Sequence, residues 1–161
     1  MKKLDLKIFI EEYTVNELPE ADKDLFSKAK QACEQAYAPY SNFYVGAAIL
    51  LENGTIVLGN NQENAAYPSG MCAERTAIYA TGANHRGQKI IAIAVAACKG
   101  TDYTFIPVAP CGACRQAMLE YESKQDQLIR LILQSGDNAC YIIPSISTLL
   151  PLQFTRKNLL G

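Results

Sequence analysis

The sequence predicts an α/β fold in three layers, with one mixed, mostly five-stranded sheet between helices on both of its faces. The run from Ile90 to Cys98 is apolar at nearly every position, which is typical of a central strand covered on both sides. Asn53 and Gly54 separate two β-favouring segments, which is a strong signal for a hairpin. Segments with apolar residues at helical spacing come before and after these strands. We therefore expect residues 1–161 to form a single α/β/α domain.

The first predicted element is a short strand near the N-terminus. Leu4, Leu6, Ile8 and Ile10 occupy alternate positions, which predicts a strand with one buried face. Residues 1–20 are accordingly expected to be a strand-bearing N-terminal extension. An acidic residue interrupts the apolar stretch and no small-residue cleavage site follows, so a signal peptide is not expected. The sequence predicts a cytoplasmic protein.

The remaining elements follow from periodicity and from residues that end helices. Apolar residues at helical spacing predict a helix from Asp22 to about Tyr37, ended by Pro39. The hairpin joins strands predicted over residues 43–51 and 55–59. Further helices are predicted over residues 72–83 and from the turn at 111–114 to about 125, further strands over 128–133 and 139–143, and a short helix after Pro144.

Composition excludes several classes of function. The chain has 161 residues, of which 49% are hydrophobic, and this is enough to form a core without disulfide bonds. Its net charge of −1 gives no broad basic surface for a polynucleotide. No apolar run reaches the ~20 residues of a membrane span. Six cysteines and a single histidine, His85, mean that any metal site here must be rich in thiolates.

Three cysteines lie at two turns that lead into predicted helices. Cys111 and Cys114 are one helical turn apart, so their sulfurs can bind one metal ion. A thioredoxin-like redox pair has the same spacing, whereas a zinc ribbon needs a second such pair. Cys72 offers a third sulfur, and three protein ligands with an open fourth position are typical of catalytic zinc. A purely structural site would instead need a fourth thiolate, from Cys33, Cys98 or Cys140.

Glu74 imposes a geometric condition on this interpretation. Residues two apart point to opposite sides of a regular helix, so Cys72 and Glu74 can face one metal only if Cys72 caps the helix. Gly70, just upstream, makes such a cap feasible. The alternative is that Glu74 is an ordinary acidic residue in a first helical turn. Arg75 is expected to offset the charge of the thiolates and Arg115 could do the same; ordinary surface exposure or pairing with a carboxylate is the alternative for each.

Taken together, these motifs resemble those of the zinc-dependent nucleoside deaminases. Cys72-Ala-Glu-Arg and Pro110-Cys-Gly-Ala-Cys-Arg-Gln are similar to the signature of that family, and most similar to that of the small cytidine deaminases. Cys72 stands where other members carry histidine, which indicates the all-cysteine class. The segments 38–48, 60–68 and 149–154 also resemble the family in order and spacing. The resemblance covers roughly residues 25–155.

The resemblance implies a reaction and a role for each motif. Zn²⁺ held by Cys72, Cys111 and Cys114 would activate a water molecule. Glu74 would take the proton of that water, pass it to N3 of the pyrimidine and later protonate the departing amine. The implied activity is the hydrolytic deamination of cytidine and 2′-deoxycytidine to uridine and 2′-deoxyuridine plus ammonia, as in pyrimidine salvage.

The resemblance also implies contacts with the substrate. Asn61 and Glu63 would bind the ribose 3′-hydroxyl, and Phe43 would stack on the base. Core packing is the alternative for Phe43 and Tyr67, and anchoring of the C-terminal tail is the alternative for Phe154. Ala65, Tyr67 and Phe154 match residues that family members contribute across subunit interfaces, which implies a homotetramer with shared active sites.

A second reading is a deaminase of the same fold that acts on another aminopyrimidine, such as blasticidin S. The Asn61 and Glu63 pair fits a ribose better. Neither a polynucleotide nor a membrane is expected as a partner.

Overall fold

The structure is a computed structural model and describes residues 1–3, 5–100, 102 and 104–160. Its strands are β1 (Glu11–Thr14), β2 (Phe43–Leu51), β3 (Ile56–Asn60), β4 (Ile90–Lys99), β5 (Thr104–Ile106), β6 (Arg130–Gly136) and β7 (Ala139–Ile143). Its α-helices are α1 (Glu20–Ala32), α2 (Ala73–Asn84), α3 (Gly112–Gln125) and α4 (Arg156–Leu160).

The strands form one mixed sheet, as predicted. The order across the sheet is β1-β7-β6-β4-β2-β3, and β5 pairs with the end of β4. β4 and β6 are parallel, whereas the other neighbouring strands are antiparallel. Five of the seven strands are those that the sequence predicts. β1 and β5 are short additional strands, of four and three residues.

Strand β4 separates the two helical layers. Ala92, Ala94 and Ala96 pack in a core with α1, whereas Ile93 and Val95 pack in a second core with α2 and α3. All five of these side chains are fully buried. A strand buried on both faces is the arrangement that its continuous apolar sequence predicts. The α/β/α fold class is therefore confirmed.

Helix α1 lies unusually close to the sheet at Gly46 of β2. A Cβ atom at this position would lie 2.1 Å from the carbonyl oxygen of Ala29 and 2.7 Å from the backbone nitrogen of Cys33. Both distances are far inside van der Waals contact, so glycine is required here. The small residues on this side of β4 are consistent with the same close packing.

The predicted N-terminal strand is in the wrong place. Residues 5–10 form no strand and are exposed, and Leu4 lies outside the described residues. The strand is instead β1, which pairs antiparallel with β7 so that Glu11 is opposite Ile142. This ladder cannot continue far beyond Ile10, because the position opposite Phe9 is Pro144, which has no N–H to donate.

Several element boundaries also differ from the sequence-based expectations. α1 ends at Ala32 and a 3₁₀ turn, Cys33–Gln35, follows it. β6 begins and ends later than predicted, and the short helix after Pro144 is a 3₁₀ turn, Ile146–Leu149. Helix α4 was not predicted. Among the described residues, no helix has both the length and the apolar character needed to span a membrane.

Candidate active site

The N-terminal ends of α2 and α3 bring the three cysteines together. Cys72 caps α2 and Cys111 caps α3, both with extended backbone (φ −73°, ψ 152° and φ −66°, ψ 164°). Cys114 lies in the first turn of α3 and Glu74 in the first turn of α2. The structure thus meets the geometric condition that Cys72 must cap its helix for Glu74 to approach the same point.

The spacing of the three sulfur atoms fits a tetrahedral metal ion. The Sγ atoms of Cys72, Cys111 and Cys114 all lie within 4.8 Å of one another. The Sγ atoms of Cys111 and Cys114 are 3.5 Å apart. Tetrahedral zinc with Zn–S bonds of about 2.3 Å requires sulfurs about 3.8 Å apart, so this donor set suits zinc with little rearrangement.

The local charges stabilise a thiolate in this cluster. The pKa of the Cys72 thiol is lowered to about 5, mainly by a hydrogen bond with Cys114 and also by the Arg75 guanidinium. Nη2 of Arg75 donates to Sγ of Cys72 over 3.6 Å. The pKa of Cys114 is raised because it donates to the Cys72 thiolate and is buried. The positive ends of two helices favour negative charge at the same point.

Arg115 does not share the position of Arg75. Its Nε donates to the carbonyl oxygen of Pro110 (2.8 Å) and its Nη1 to that of Leu149 (3.2 Å). The guanidinium therefore ties the start of α3 to the C-terminal segment. Of the two arginines considered for charge compensation, Arg75 contacts the sulfur of Cys72, whereas Arg115 binds two backbone carbonyls.

Glu74 is a buried carboxyl group next to the sulfur cluster. Its side chain is only 5% exposed, yet it lines the same cavity as Cys72 and Cys111. Burial raises the pKa of this carboxyl, and the nearby Cys72 thiolate raises it further. A carboxyl with a raised pKa takes up a proton more easily than an exposed one, which suits general acid–base catalysis. An ordinary acid in a first helical turn would instead be exposed to solvent.

The cavity in front of this cluster is large enough for a nucleoside. Its volume is about 830 Å³. Cys114 is fully buried behind the exposed Cys111 and does not line it. Five of the six residues predicted to contact a substrate line the cavity: Phe43, Asn61, Glu63, Ala65 and Tyr67.

Asn61 and Glu63 are held firmly at the wall of this cavity. The Asn61 amide accepts from the Val45 N–H (2.8 Å) and donates to the Phe43 carbonyl (2.9 Å). Oε2 of Glu63 accepts from the backbone N–H groups of Tyr40 (2.9 Å) and Ser41 (3.3 Å). The Ser41 hydroxyl and these N–H groups lower the pKa of Glu63.

This backbone support was not anticipated from the sequence. The sequence analysis gave no role to Tyr40 or Ser41, because backbone donors leave no residue-specific signal.

Phe154 is the predicted substrate residue that lies elsewhere. It does not line the cavity of its own chain, and its side chain is 57% exposed. Its carbonyl oxygen accepts a hydrogen bond of 2.8 Å from Nε2 of Gln116 on α3. The C-terminal segment is therefore anchored to the helix that carries two of the cysteines, while the ring itself projects outward.

The other three cysteines lie on the opposite side of the sheet. Cys33, Cys98 and Cys140 are fully buried in the core that faces α1. The sheet separates them from the sulfur cluster, so none can serve as a fourth ligand. The alternative of a four-thiolate structural site is inconsistent with this arrangement. Cys72 and Cys111 line the cavity, so a metal ion held by the three sulfurs would lie next to it.

Comparison with known proteins is consistent with this geometry. The model of the cytidine and deoxycytidylate deaminase zinc-binding region matches residues 19–128. A cytidine deaminase of Halalkalibacterium halodurans is 42% identical over 135 residues, which cover 84% of this chain and 95% of that protein. A cytidine deaminase of Sporosarcina psychrophila is 50% identical over 98 residues, which cover 60% and 67%.

Solved structures give the same result. The cytidine deaminase from Burkholderia pseudomallei superposes with a TM-score of 0.68 at 42% identity, over 81% of this chain and 97% of that one. The cytidine deaminase from Mycobacterium tuberculosis superposes with a TM-score of 0.63 at 31% identity, over 81% and 94%. Sequence, fold and site all agree, and the chain belongs to the cytidine and deoxycytidylate deaminase family of enzymes.

Proposed function

We propose that this enzyme catalyses the zinc-dependent hydrolysis of cytidine and 2′-deoxycytidine to uridine and 2′-deoxyuridine, with release of ammonia. The observation that carries the proposal is the buried carboxyl of Glu74 in one cavity with Cys72 and Cys111. A proton-transfer group beside an open three-thiolate site is the arrangement that hydrolytic deamination requires. The family membership supports the same reaction.

Cys72, Cys111 and Cys114 are the residues that would hold the metal. Zn²⁺ bound here would supply a water molecule with a pKa lowered towards ~7, and thus a nucleophile at neutral pH. Arg75 would offset part of the negative charge that three thiolates bring to a divalent ion, because its guanidinium already contacts Cys72. The helix caps would orient the sulfurs before the metal binds.

Glu74 would move the protons of the reaction. Its carboxylate would accept a proton from the attacking water and deliver it to N3 of the pyrimidine, which makes C4 more electrophilic. The second proton would pass through the same carboxyl to the amino group on C4, which leaves as ammonia. Burial raises the pKa of Glu74, which makes the carboxyl easier to protonate than an exposed one and suits a group that both accepts and returns a proton.

The wall opposite the sulfur cluster would bind the rest of the nucleoside. Glu63, ionised and fixed by two backbone N–H groups, would accept a hydrogen bond from the ribose 3′-hydroxyl. Asn61 would support the same hydroxyl from its fixed position on the β2 backbone. Phe43, which is partly exposed in the cavity, would stack on the base.

A homotetramer with shared active sites is part of this proposal. Tyr67, 91% exposed, and Phe154 offer aromatic surface that a neighbouring subunit would bury. Ala65 lies on the same rim of the cavity as Tyr67. Completion of each pocket by a neighbouring Phe154 would exclude water from an otherwise open cavity. The assembly would act as a cytoplasmic enzyme of pyrimidine salvage.

The decisive experiment compares the unmodified enzyme with Glu74→Gln. Ammonia release and loss of cytosine absorbance would be measured with cytidine and 2′-deoxycytidine, and zinc would be measured per chain. Glutamine keeps the size of the side chain but cannot transfer the protons, so turnover should fall by several orders of magnitude while about one zinc per chain remains bound.

Two results would contradict the proposal. Turnover that survives in Glu74→Gln would remove Glu74 from the chemistry. Failure of the unmodified, zinc-loaded enzyme to deaminate either nucleoside would show that the cavity serves a different aminopyrimidine.

A further inference from the structure

An apolar segment of the chain, here called the N-terminal arm (residues 5–10), lies exposed beyond the edge of the sheet. Four of its side chains are large and hydrophobic: Leu6, Ile8, Phe9 and Ile10 are 63%, 50%, 70% and 48% exposed. Their exposure is unusual because such residues are normally buried. The arm precedes the region that matches the family model, which begins at residue 19. The family match therefore does not account for the exposed apolar side chains of the arm.

The position of the arm leaves it open to pairing. It continues directly into β1, whose inner edge pairs with β7. β1 is the last strand in the order of the sheet, so among the described residues its outer edge pairs with no strand. An exposed strand edge with apolar side chains is a template for another strand. Proteins normally cover such an edge, protect it with charged residues or proline, or pair it with another strand.

The charges around the arm identify what would pair with it. The sequence from Lys2 to Glu12 has two lysines at one end and two glutamates at the other, with apolar residues between them. When two copies are aligned antiparallel about Lys7, lysines face glutamates at both ends, and Leu6 meets Ile8 on either side of the axis. The pairs in this register are Lys2 with Glu12, Lys3 with Glu11, Asp5 with Phe9 and Leu6 with Ile8.

We propose that two copies of this chain associate through residues 2–12, as antiparallel strands related by a two-fold axis at Lys7. Each copy would present the same surface to the other, as an isologous interface requires. The arm of each copy would then pair with the other arm, and Glu11 and Glu12 at the start of β1 would gain partners on the outer edge of that strand. An isolated pair of strands is only marginally stable. Here each strand is anchored to a folded sheet through β7.

The central contact is compatible with this register. The two copies of Lys7 face each other across the axis, which is unfavourable by itself. Asp5 of each copy lies diagonally next to Lys7 of the other, within reach of a long side chain. At the ends, Glu12 accepts a hydrogen bond of 2.7 Å from Ser135, whereas Glu11 accepts a longer one of 3.3 Å from the Tyr13 hydroxyl, so the pair of Lys3 with Glu11 is the one to test.

The first test is a disulfide cross-link at the proposed axis. Lys7→Cys places two thiols opposite each other, so mild oxidation with oxidised glutathione should produce a cross-linked dimer on a non-reducing gel. Lys3→Cys is the matched control, because its two copies would be about 27 Å apart at ~3.4 Å per residue. The zinc-loaded unmodified chain gives the background from native cysteines. Equal cross-linking at both positions, or none at position 7, would overturn the proposal.

A charge exchange tests the register itself. In the Lys7→Cys background, Lys3→Glu alone would place glutamates opposite each other, and Glu11→Lys alone would place lysines opposite each other, so both should lose the cross-link. A mixture of the two variants restores both ion pairs and should restore the cross-link between them. An equal yield of cross-linked dimer in the single variants and in the mixture would refute the proposed pairing.

These measurements do not depend on the proposed catalysis. The arm is remote in sequence from the cavity residues, so each variant should deaminate cytidine like the unmodified enzyme if the proposed function holds. Loss of the cross-link with full activity would count against the arm alone. A cross-link in an inactive enzyme would count against the proposed function alone.

Discussion

At the scale of single residues, Arg75 and Arg115 occupy similar places in their helices but bind different groups. Each lies in the first turn of a helix whose cap is a cysteine. Arg75 reaches the sulfur of Cys72, whereas Arg115 donates to two backbone carbonyls. Substituting one arginine at a time therefore separates two effects: compensation of the thiolate charge by Arg75 and support of the backbone by Arg115.

Arg75→Gln should weaken zinc binding by about 10- to 100-fold, as is usual when a group that supports a metal ligand is lost. The physical reason is that the guanidinium stabilises the Cys72 thiolate that would bind the metal. Competition with a chromophoric chelator would measure the affinity. In Arg115→Gln the thiolates keep their charge partner, so zinc affinity should stay within a few-fold of the unmodified value. Equal losses in both variants would contradict this division of roles.

At the scale of secondary structure, one buried carboxylate joins α3 to the C-terminal segment. Glu122 accepts hydrogen bonds from the backbone N–H groups of Ile129, Ile146 and Ser147 and from the hydroxyl of Ser145, at 2.8 to 3.0 Å. It is only 6% exposed. One side chain thus caps the 3₁₀ turn after β7 and fixes the approach to β6.

Glu122→Ala should destabilise the fold by about 3–5 kcal/mol, because several buried donors lose their acceptor at once. Denaturant unfolding monitored by circular dichroism would measure the loss. Glu122→Gln keeps one acceptor oxygen, so its loss of stability should be smaller than that of Glu122→Ala. Glu120→Ala, on the exposed side of the same helix, should change stability by less than about 0.5 kcal/mol. A similar loss in the Glu120 variant would contradict the role given to the buried network of Glu122.

The sequence predicted those elements best whose signal is contained in their own residues. β2 and β7 have the predicted bounds, and β4 is only one residue longer, because a continuous apolar run marks a buried strand. β1 and β5 were missed because each is a short strand that exists only through pairing with a neighbour. The alternation of apolar residues at positions 4–10 led to a strand being predicted there instead of at β1. Periodicity cannot show that the partner strand, β7, ends at Ile143 and leaves residues 4–10 without a strand to pair with.

In the candidate site, too, the sequence predicted the features that depend on residue type. Cysteines with metal-ligand spacing and an adjacent Glu74 are recognisable from residue types, and the structure brings the three sulfurs together. The backbone donors that hold Glu63, and the carbonyls that hold Arg115, come from residues of any type. No sequence signal could have identified them. The substrate contacts of Phe43, Asn61, Glu63, Ala65, Tyr67 and Phe154 stay predictions.

At the scale of the whole molecule, the sheet divides six cysteines into two groups of three. One group lies together at the N-terminal ends of α2 and α3, and the other is buried between the sheet and α1. Burial raises the pKa of Cys33 to about 12 and that of Cys140 to about 11, and it also raises the pKa of Cys98. Thiols of this kind react slowly, because the thiolate is the reactive form.

Thiol labelling should therefore follow metal loading. In the zinc-loaded enzyme we expect little reaction with a maleimide reagent. After removal of zinc with a chelator, Cys72 and Cys111 should react first, because one has a low pKa and the other is exposed. Cys33, Cys98 and Cys140 should react only in denaturant. Mass spectrometry of the labelled peptides would locate each adduct, and rapid labelling of any of these three in the folded protein would contradict the proposed partition.

The two-sided packing of β4 has a consequence for how this protein can diverge. Its alanines face α1 at close range, so mutations there are confined to residues of about the same volume, and drift on that side is slow. Ile93 and Val95 face α2 and α3, where hydrophobic exchanges of similar size can be absorbed by repacking. Because the backbone of one strand keeps the two sets of side chains apart, we expect substitutions to be tolerated more readily on the side that faces the cysteine cluster than on the side that faces α1.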